Sequence, residues 1–211
     1  MTDHEKYKWI KDNLYVPVVC DILDQLGYRH QAMHQRLRPL DETCCVFVGR
    51  ARTFRWLETD YVVQDNPYGR EIMDSLGEND VAVHSTDSGG TNAPWGELMS
   101  TAAMMRKAVG CVCDSQIRDC IRIKKMGFPV FYAGIRPLDS KGRGLVVDYD
   151  VLVNPGDLIF ADFDGVVVIP KEVEEDVLDL AKQKAAMENV SRKELLEGRT
   201  LREVYDKYGA L

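Results

Sequence analysis

The spacing of apolar and polar residues predicts alternating strands and helices in the middle of the chain. Residues 109–114, which are apolar up to Cys113, predict a strand, residues 117–126 show helical spacing that ends before Gly127, and residues 129–133 predict another strand. Strand, helix and strand in this order are typical of mixed α/β folds. We therefore expect a layer of parallel strands in the centre of the molecule.

The flanking segments extend this pattern. Short helices are predicted near residues 9–14 and 18–26, strands at 44–57 and 81–84, and a helix at 96–107 after a run of turn formers at 87–95. Strands are predicted at 145–153, 158–163 and 166–169, with turns at 154–157 and 164–165, and charged helices follow at 171–188 and 195–208. The three late strands are expected to pair as a meander.

Composition and charge narrow the class of protein. A chain of 211 residues with 45% hydrophobic and 29% charged residues predicts one globular domain, residues 1–211. A net charge of -7 gives no long-range attraction for phosphate backbones, so nucleic acid is not an expected partner. Because the chain has neither an apolar run of membrane-spanning length nor the apolar core of a signal peptide, we expect a cytoplasmic protein that does not bind membranes. The six cysteines lack metal-binding spacing and are expected to be reduced core thiols.

Two segments carry candidate chemistry. The predicted helix begins with Gly96, Glu97, Leu98 and Met99, and the backbone N–H groups at a helix start can bind a carboxylate. The pair Arg118-Asp119 follows the next predicted strand. Because the carboxyl ends of parallel strands meet at one edge of a sheet, the two segments are expected to converge. Taken separately, each also fits a structural role, as an ordinary glycine turn or a surface ion pair.

Together these residue types suggest specific roles. A carboxylate such as Asp119 can bind a hard divalent cation, Glu97 can hold one of its waters, and Arg118 can face an anionic oxygen. His84, at the end of a predicted strand, is an alternative general base and fits a structural role equally well.

The joint spacing of several motifs resembles one known family. The motifs are residues 96–99, the twenty positions between Glu97 and Arg118-Asp119, and the segments at 127–131, 155–157 and 161–170. Over roughly residues 14 to 190 they resemble the RraA-like family, which includes 4-hydroxy-4-methyl-2-oxoglutarate aldolases and RNase E activity regulators. The chain departs from the family at Glu97, where aspartate is more familiar, and in a short connection between Val151 and Asn154.

The resemblance implies a fold and a site. The fold would be a swivelling β/β/α domain of the phosphohistidine type with a central β-barrel core, assembled as a homotrimer or hexamer with sites between subunits. The backbone of residues 96–99 would bind the substrate carboxylate, Arg118 would contact the 2-oxo oxygen, and Asp119 would ligate Mg²⁺ or Mn²⁺.

The expected function is that of a metal-dependent class II aldolase. Such an enzyme cleaves a 4-hydroxy-2-oxo acid, for example 4-hydroxy-4-methyl-2-oxoglutarate, to pyruvate, and oxaloacetate decarboxylation is expected beside it. The alternative is a non-catalytic regulator that binds and inhibits an RNase E-type ribonuclease. The complete set of Glu97, Arg118 and Asp119 favours the enzyme. A methyltransferase is disfavoured because the chain lacks a glycine-rich cofactor loop.

Overall fold

One sheet of eight strands organises the molecule, whose computed structural model describes residues 2–86, 90–147 and 153–209. The strands are β1 Arg38–Pro39, β2 Phe47–Glu58, β3 Asp80–Ser85, β4 Gly110–Ile117, β5 Val130–Ile135, β6 Gly144–Val147, β7 Leu158–Asp162 and β8 Gly165–Ile169. Strands β2, β3, β4 and β5 are parallel neighbours, and the remaining pairings are antiparallel.

Seven helices surround the sheet in the described ranges. They are α1 Asp3–Asn13, α2 Val16–Gln25, α3 Pro67–Asp74, α4 Glu97–Met105, α5 Cys120–Met126, α6 Glu174–Leu196 and α7 Leu201–Tyr208, with a 3₁₀ turn at Lys171–Val173 before α6. Each of these helices is too short or too polar to cross a lipid bilayer.

A bent segment nearly closes the sheet into a barrel. Ala32 forms an antiparallel bridge with Val167 of β8, and Arg38 of β1 pairs with Tyr132 of β5. The segment that carries Ala32 and Arg38 therefore contacts both outer strands of the sheet and leaves little unpaired edge. The predicted mixed α/β fold with a central barrel is confirmed.

The alternation of side chains along the parallel strands separates two layers. Val81 and Val83 of β3 point into the barrel, whereas Ala82 of the same strand packs outward with Cys111 and Cys113 of β4 against α3, α4 and α5. Helices α1, α2 and α6 cover β7 and β8 on another side. All six cysteines are free thiols and each is at least partly buried, as predicted.

Several predicted elements need correction. Strand β6 pairs with residues 55–58 of β2 and β7 pairs with residues 47–50, so the late strands do not form a meander, although β7 and β8 do form a hairpin. Ile117 belongs to β4 rather than to the following helix, and helix α3 was not predicted. The predicted continuation of β6 at residues 148–152, which includes the first half of the short connection at residues 151–154, lies outside the described residues, as do Ser88 and Gly89 of the glycine-rich turn.

A buried ion cluster joins α1, β2 and α6. Glu174, the first residue of α6, pairs with Arg50 and Lys6, and Arg50 Nη2 donates to Glu174 Oε1 at 3.1 Å. The Arg50 guanidinium also lies 5.9 Å from the centre of the Tyr7 ring. Because Glu174 is only 4% exposed, its charge depends on these two cations.

Candidate active site

Backbone contacts join the carboxyl end of β4 to the end of the loop that precedes α4. Trp95 and Ile117 form a parallel bridge, and the Arg118 N–H donates to the Trp95 carbonyl at 3.0 Å. Asp119 then turns the chain into α5 with a left-handed backbone, at φ 59°. Aspartate tolerates this conformation better than most residues. The bridge places Gly96 beside Arg118 and Asp119, so the predicted convergence of the two segments is confirmed.

The start of α4 leaves backbone donors beside this junction. The first helical hydrogen bond runs from the Ser100 N–H to the Gly96 carbonyl at 3.0 Å, so the N–H groups of residues 97–99 precede the helical ladder. That of Glu97 donates to Asp119 Oδ2 at 3.3 Å. The N–H groups of Leu98 and Met99, together with the helix dipole, form a place where an anion is stabilised.

Gly96 is needed because the two segments approach so closely. A Cβ atom at this position would lie 2.8 Å from Asp119 Oδ2 and 3.2 Å from Arg118 Cγ. The backbone of Gly96 is extended, at φ -155°, so the requirement is for space rather than for an unusual conformation.

Arg118 is held by two carboxylates. Its Nε lies 3.8 Å from Asp119 Oδ2, and its Nη2 lies 3.4 Å from Asp139 Oδ1. Asp139 was missed in the sequence, since it stands in a loop with no motif. It is brought to the site by a parallel bridge with Ala93, another contact made by the loop before α4. The pairing leaves the Arg118 side chain about one third exposed, at 34%, and accessible to a ligand.

The side chains of residues 97–99 take different directions. The Glu97 carboxylate accepts from Thr101 Oγ1 at 3.3 Å within α4. Leu98 is 76% exposed, and Met99 packs partly buried against the helical side of the sheet. Any contact of Leu98 and Met99 with an anion at the helix start would therefore come from their backbone.

A recess rich in arginine adjoins the junction. It has a volume of about 440 Å³, and Arg118, Asp119, Arg122 and Arg136 contribute to its walls. Three arginines in the wall face Asp119 and, through its ion pair with Arg118, Asp139, which leaves a small excess of positive charge although the chain as a whole carries -7. Such a local excess of positive charge suits an anionic ligand.

His84 is placed away from this arrangement. Its ring is 2% exposed and meets the Phe54 ring edge-on at 4.7 Å between ring centres. Burial lowers its pKa to about 3, which makes the imidazole neutral and a weak base at neutral pH. It lines a different cavity, with Phe54, beneath α4.

The fold and the junction together define a class: mixed α/β barrel proteins in which an arginine and an aspartate are held at the start of a helix. The chain belongs to the RraA-like family, described as Aldolase/RraA, whose model matches residues 16–168.

Particular relatives carry two kinds of name. A protein of Halalkalibacterium halodurans, provisionally named a 4-hydroxy-4-methyl-2-oxoglutarate aldolase, is 34% identical over 179 residues, which cover 81% of this chain and 80% of the relative. Protein DlpA of Legionella pneumophila is 25% identical over 197 residues, which are 90% of this chain but only 32% of that protein. The structure of Streptomyces coelicolor RraAS2, described as an unusual member of the RNase ES inhibitor RraA protein family, superimposes with a TM-score of 0.81 at 25% identity. That match covers 92% of this chain and 100% of the other.

Proposed function

We propose that the chain is a divalent-metal-dependent carbon–carbon lyase that releases pyruvate from a 4-hydroxy-2-oxo acid. The observation that carries the proposal is the junction itself: the Glu97 N–H donates to Asp119 Oδ2, and Arg118 lies against the same carboxylate. One site thus combines a place for a carboxylate, a cation for a developing oxyanion and a carboxylate that can hold a metal ion.

Binding is assigned to the helix start and to Arg118. The substrate carboxylate accepts hydrogen bonds from the N–H groups of Leu98 and Met99, and the 2-oxo oxygen faces Arg118. This orientation directs the bond between C3 and C4 of the substrate away from the helix start, so the distal half can extend into the arginine-rich recess.

Bond cleavage then requires a base and an oxyanion partner. A base removes the proton of the 4-hydroxyl group, the C3–C4 bond breaks, and its electron pair forms the enolate of pyruvate while C4 becomes a carbonyl. Arg118 stabilises the enolate oxygen. Glu97 acts as the base through a water molecule, and protonation at C3 completes pyruvate.

Asp119 fits a divalent cation that keeps most of its water. Magnesium commonly binds proteins through one or two carboxylates and retains several waters. The described residues contain no group of three or more histidine, cysteine or acidic side chains with metal-binding geometry, so the other ligands of such an ion would be water and substrate oxygens. When bound there, Mg²⁺ or Mn²⁺ would supply Lewis-acid stabilisation of negative charge on the 2-oxo oxygen.

The recess supports a dianionic substrate. A second carboxylate on the distal half, as in 4-hydroxy-4-methyl-2-oxoglutarate, would find Arg122 and Arg136 in the wall of the recess. The enolate formed in the cleavage is also the product of oxaloacetate decarboxylation, so we propose that activity beside the aldolase reaction.

The decisive test is a substrate screen with coupled pyruvate detection. Dicarboxylate and monocarboxylate 4-hydroxy-2-oxo acids and oxaloacetate are compared, each with added magnesium and with a chelator. We expect magnesium-dependent pyruvate release that is fastest with dicarboxylates. Absence of pyruvate from every substrate, or release that a chelator leaves unchanged, contradicts the proposal.

Replacing Gly96 by alanine should impair catalysis without unfolding the protein. The added methyl group must displace the Asp119 carboxylate or the Arg118 stem, because both lie within 3.2 Å of it. We expect kcat/KM for pyruvate release to fall about a hundredfold, in line with a displacement of roughly 1 Å in an active site. Gly77→Ala is the matched control, since its Cβ would meet only Asp80 Oδ2, at 3.6 Å. Equal activity of the two variants would show that the close approach is irrelevant to catalysis.

We propose that the site lies at a subunit interface of a homotrimer or hexamer. Leu98 lies in the helix start that binds the substrate carboxylate, Ile121 follows Asp119 in α5, and their side chains are 76% and 72% exposed. Ile135 of β5 is 58% exposed. Large apolar side chains beside a polar site suit a protein contact. Ile121→Glu should therefore lower the mass measured by light scattering, while Leu201→Glu, at an exposed position of α7, should not. An unchanged mass for Ile121→Glu would place the interface elsewhere.

The rival function is inhibition of an RNase E-type ribonuclease by docking. It is favoured by the similarity to the Streptomyces RNase ES inhibitor family member, at 25% identity. A pull-down with an RNase E-type enzyme, combined with the pyruvate assay, separates the two functions. Specific retention without any pyruvate release would replace the lyase by the regulator.

We propose a cytoplasmic location. The support is that all six cysteines are free thiols, which is usual in a reducing compartment.

A further inference from the structure

Asp139 lies in a loop that backbone hydrogen bonds fix beside the site. The Arg136 N–H donates to the Ile117 carbonyl at 3.0 Å, and the Ala93 N–H donates to the Leu138 carbonyl at 2.9 Å. Ala93 and Asp139 also form a parallel bridge. The end of β4 therefore holds one end of this loop, and the segment that leads into α4 holds the other. Both halves of the junction thus set the position of the Asp139 backbone.

The side chain of Asp139 is oriented by its own turn. Its Oδ1 accepts a hydrogen bond from the Lys141 N–H at 3.3 Å. Aspartate commonly makes this contact with the backbone in turns, and the contact limits the directions in which the carboxylate can point. The same oxygen lies 3.4 Å from Arg118 Nη2. Loop and turn together therefore present the charge of Asp139 to Arg118 from a fixed place.

Arg118 lies between the carboxylates of Asp139 and Asp119. The contact with Asp139 is the closer of the two, because Arg118 Nε is 3.8 Å from Asp119 Oδ2. The two contacts are made by different nitrogens, so the planar guanidinium is held at two points. A guanidinium has five N–H donors, and donors therefore remain for a ligand oxygen.

The two carboxylates differ in their other contacts. Asp119 Oδ2 also accepts from the Glu97 N–H at 3.3 Å, and Asp119 is the residue that we propose to hold the divalent cation. A cation bound there would compete with Arg118 for the same negative charge. Asp139 approaches Arg118 at the other nitrogen, so its hold on the guanidinium is not shared with that cation.

We propose that Asp139 is a positioning residue, which fixes the guanidinium of Arg118 where the enolate oxygen develops. The reaction itself is taken from the proposed lyase function, on which this inference rests. Arg118 interacts most strongly with the 2-oxo oxygen when that oxygen becomes negative, whereas the backbone of Leu98 and Met99 binds the substrate carboxylate. Loss of the Asp139 charge should therefore slow cleavage more than it weakens substrate binding.

Asp139→Asn separates the charge of this residue from its role in the turn. The amide oxygen can still accept from the Lys141 N–H, but the ion pair with Arg118 is lost. We expect kcat for pyruvate release to fall on the order of tenfold, as for the loss of an outer partner of a catalytic group, with KM changed less than about twofold. Because exposed ion pairs contribute little to folding, the melting temperature should stay unchanged.

Asp41→Asn is the matched control. Asp41 Oδ1 makes the same kind of turn contact, with the Thr43 N–H at 2.9 Å, in the loop before β2. Removing its charge should leave kcat and KM unchanged. Full activity of Asp139→Asn as well would show that the charge of Asp139 does not position Arg118.

A second measurement follows Arg118 without substrate or metal. Nitrogen-15 relaxation of the Arg118 Nε–H, identified by its loss in Arg118→Lys, reports whether this group is rigid on the picosecond to nanosecond timescale. We expect a rigid Nε–H in the original chain and in Asp41→Asn, and a more mobile one in Asp139→Asn.

The inference is overturned if Arg118 is equally rigid in Asp139→Asn, if kcat keeps its original value, or if the loss appears in KM alone. Failure of the lyase proposal would be recognised separately. If the original chain releases no pyruvate from any substrate, the lyase is contradicted, and the relaxation of the Arg118 Nε–H alone decides whether Asp139 positions it.

Discussion

Asp119→Asn is expected to reduce magnesium-dependent pyruvate release about a thousandfold. The substitution removes the charge that binds the metal ion, and it weakens the ion pair that orients Arg118. The amide has nearly the shape of the carboxylate and can still accept the hydrogen bond that the Glu97 N–H now donates to Asp119 Oδ2. Asparagine also tolerates the left-handed backbone of this position. The junction should therefore keep its geometry while losing its charge.

The measurement is steady-state pyruvate release over a range of magnesium concentrations, with thermal unfolding measured in parallel. Asp164→Asn, in the exposed turn between β7 and β8, is the matched control and should retain full activity. An Asp119→Asn enzyme with normal kcat, insensitive to chelation, would remove Asp119 and the metal from the mechanism. A large fall in melting temperature would instead assign Asp119 a structural role.

The convergence of the candidate residues was predictable because it follows from local order along the chain. Strands β3 and β4 are parallel neighbours, and the segments that follow their carboxyl ends must lie on one edge of the sheet. The prediction needed only the strand–helix alternation and the positions of Gly96 and Arg118. Residue types then suggested the general roles of Glu97, Arg118 and Asp119, and the family resemblance added the substrate class and the particular reaction.

The partners of Arg118 and the cavity lined by Phe54 and His84 were not predictable for a different reason. Asp139 reaches Arg118 through a bridge between Ala93 and its own loop, a pairing between distant segments with no periodic signal. Helix α3 has only eight residues and contains Gly69, so its sequence pattern is short and weak. The cavity depends on both this helix and the pairing of β6 with β2, where a meander had been expected.

The closure of the barrel also could not be predicted in detail from the sequence, because it depends on contacts between distant segments. Short strand β1 and the bridge at Ala32 join opposite edges of the sheet, yet their sequence lacks the alternation of a strand. Closure of the barrel is favoured because the backbone N–H and C=O groups at the outer edges of β5 and β8 would otherwise lack partners. Tertiary context of this kind is not encoded in any short window of residues.

Glu174→Gln is expected to destabilise the protein by about 3 kcal/mol near pH 7, because it leaves two partly buried cations facing a neutral amide. Arg50 and Lys6 are 29% and 21% exposed, so their access to water limits the loss. Glu174 also begins α6, where a negative charge interacts favourably with the helix dipole. The free energy of unfolding is measured with denaturant for both proteins. Glu175→Gln, one residue later and exposed, is the control and should change stability little.

The stabilisation that ionised Glu174 contributes should decrease as the pH falls. Burial alone would raise the pKa of Glu174, but hydrogen bonds and charges from Arg50 and Lys6 outweigh it and lower the pKa below the ordinary 4.5. Since the folded protein binds the proton less readily than the unfolded chain, the stabilisation is complete above 4.5 and is lost as the pH falls through the lowered pKa. The stability difference between the original chain and Glu174→Gln should therefore be constant near neutrality and shrink in acid. A difference that grew on acidification would mean that Glu174 is destabilising when ionised, and that burial rather than its two cations governs its charge.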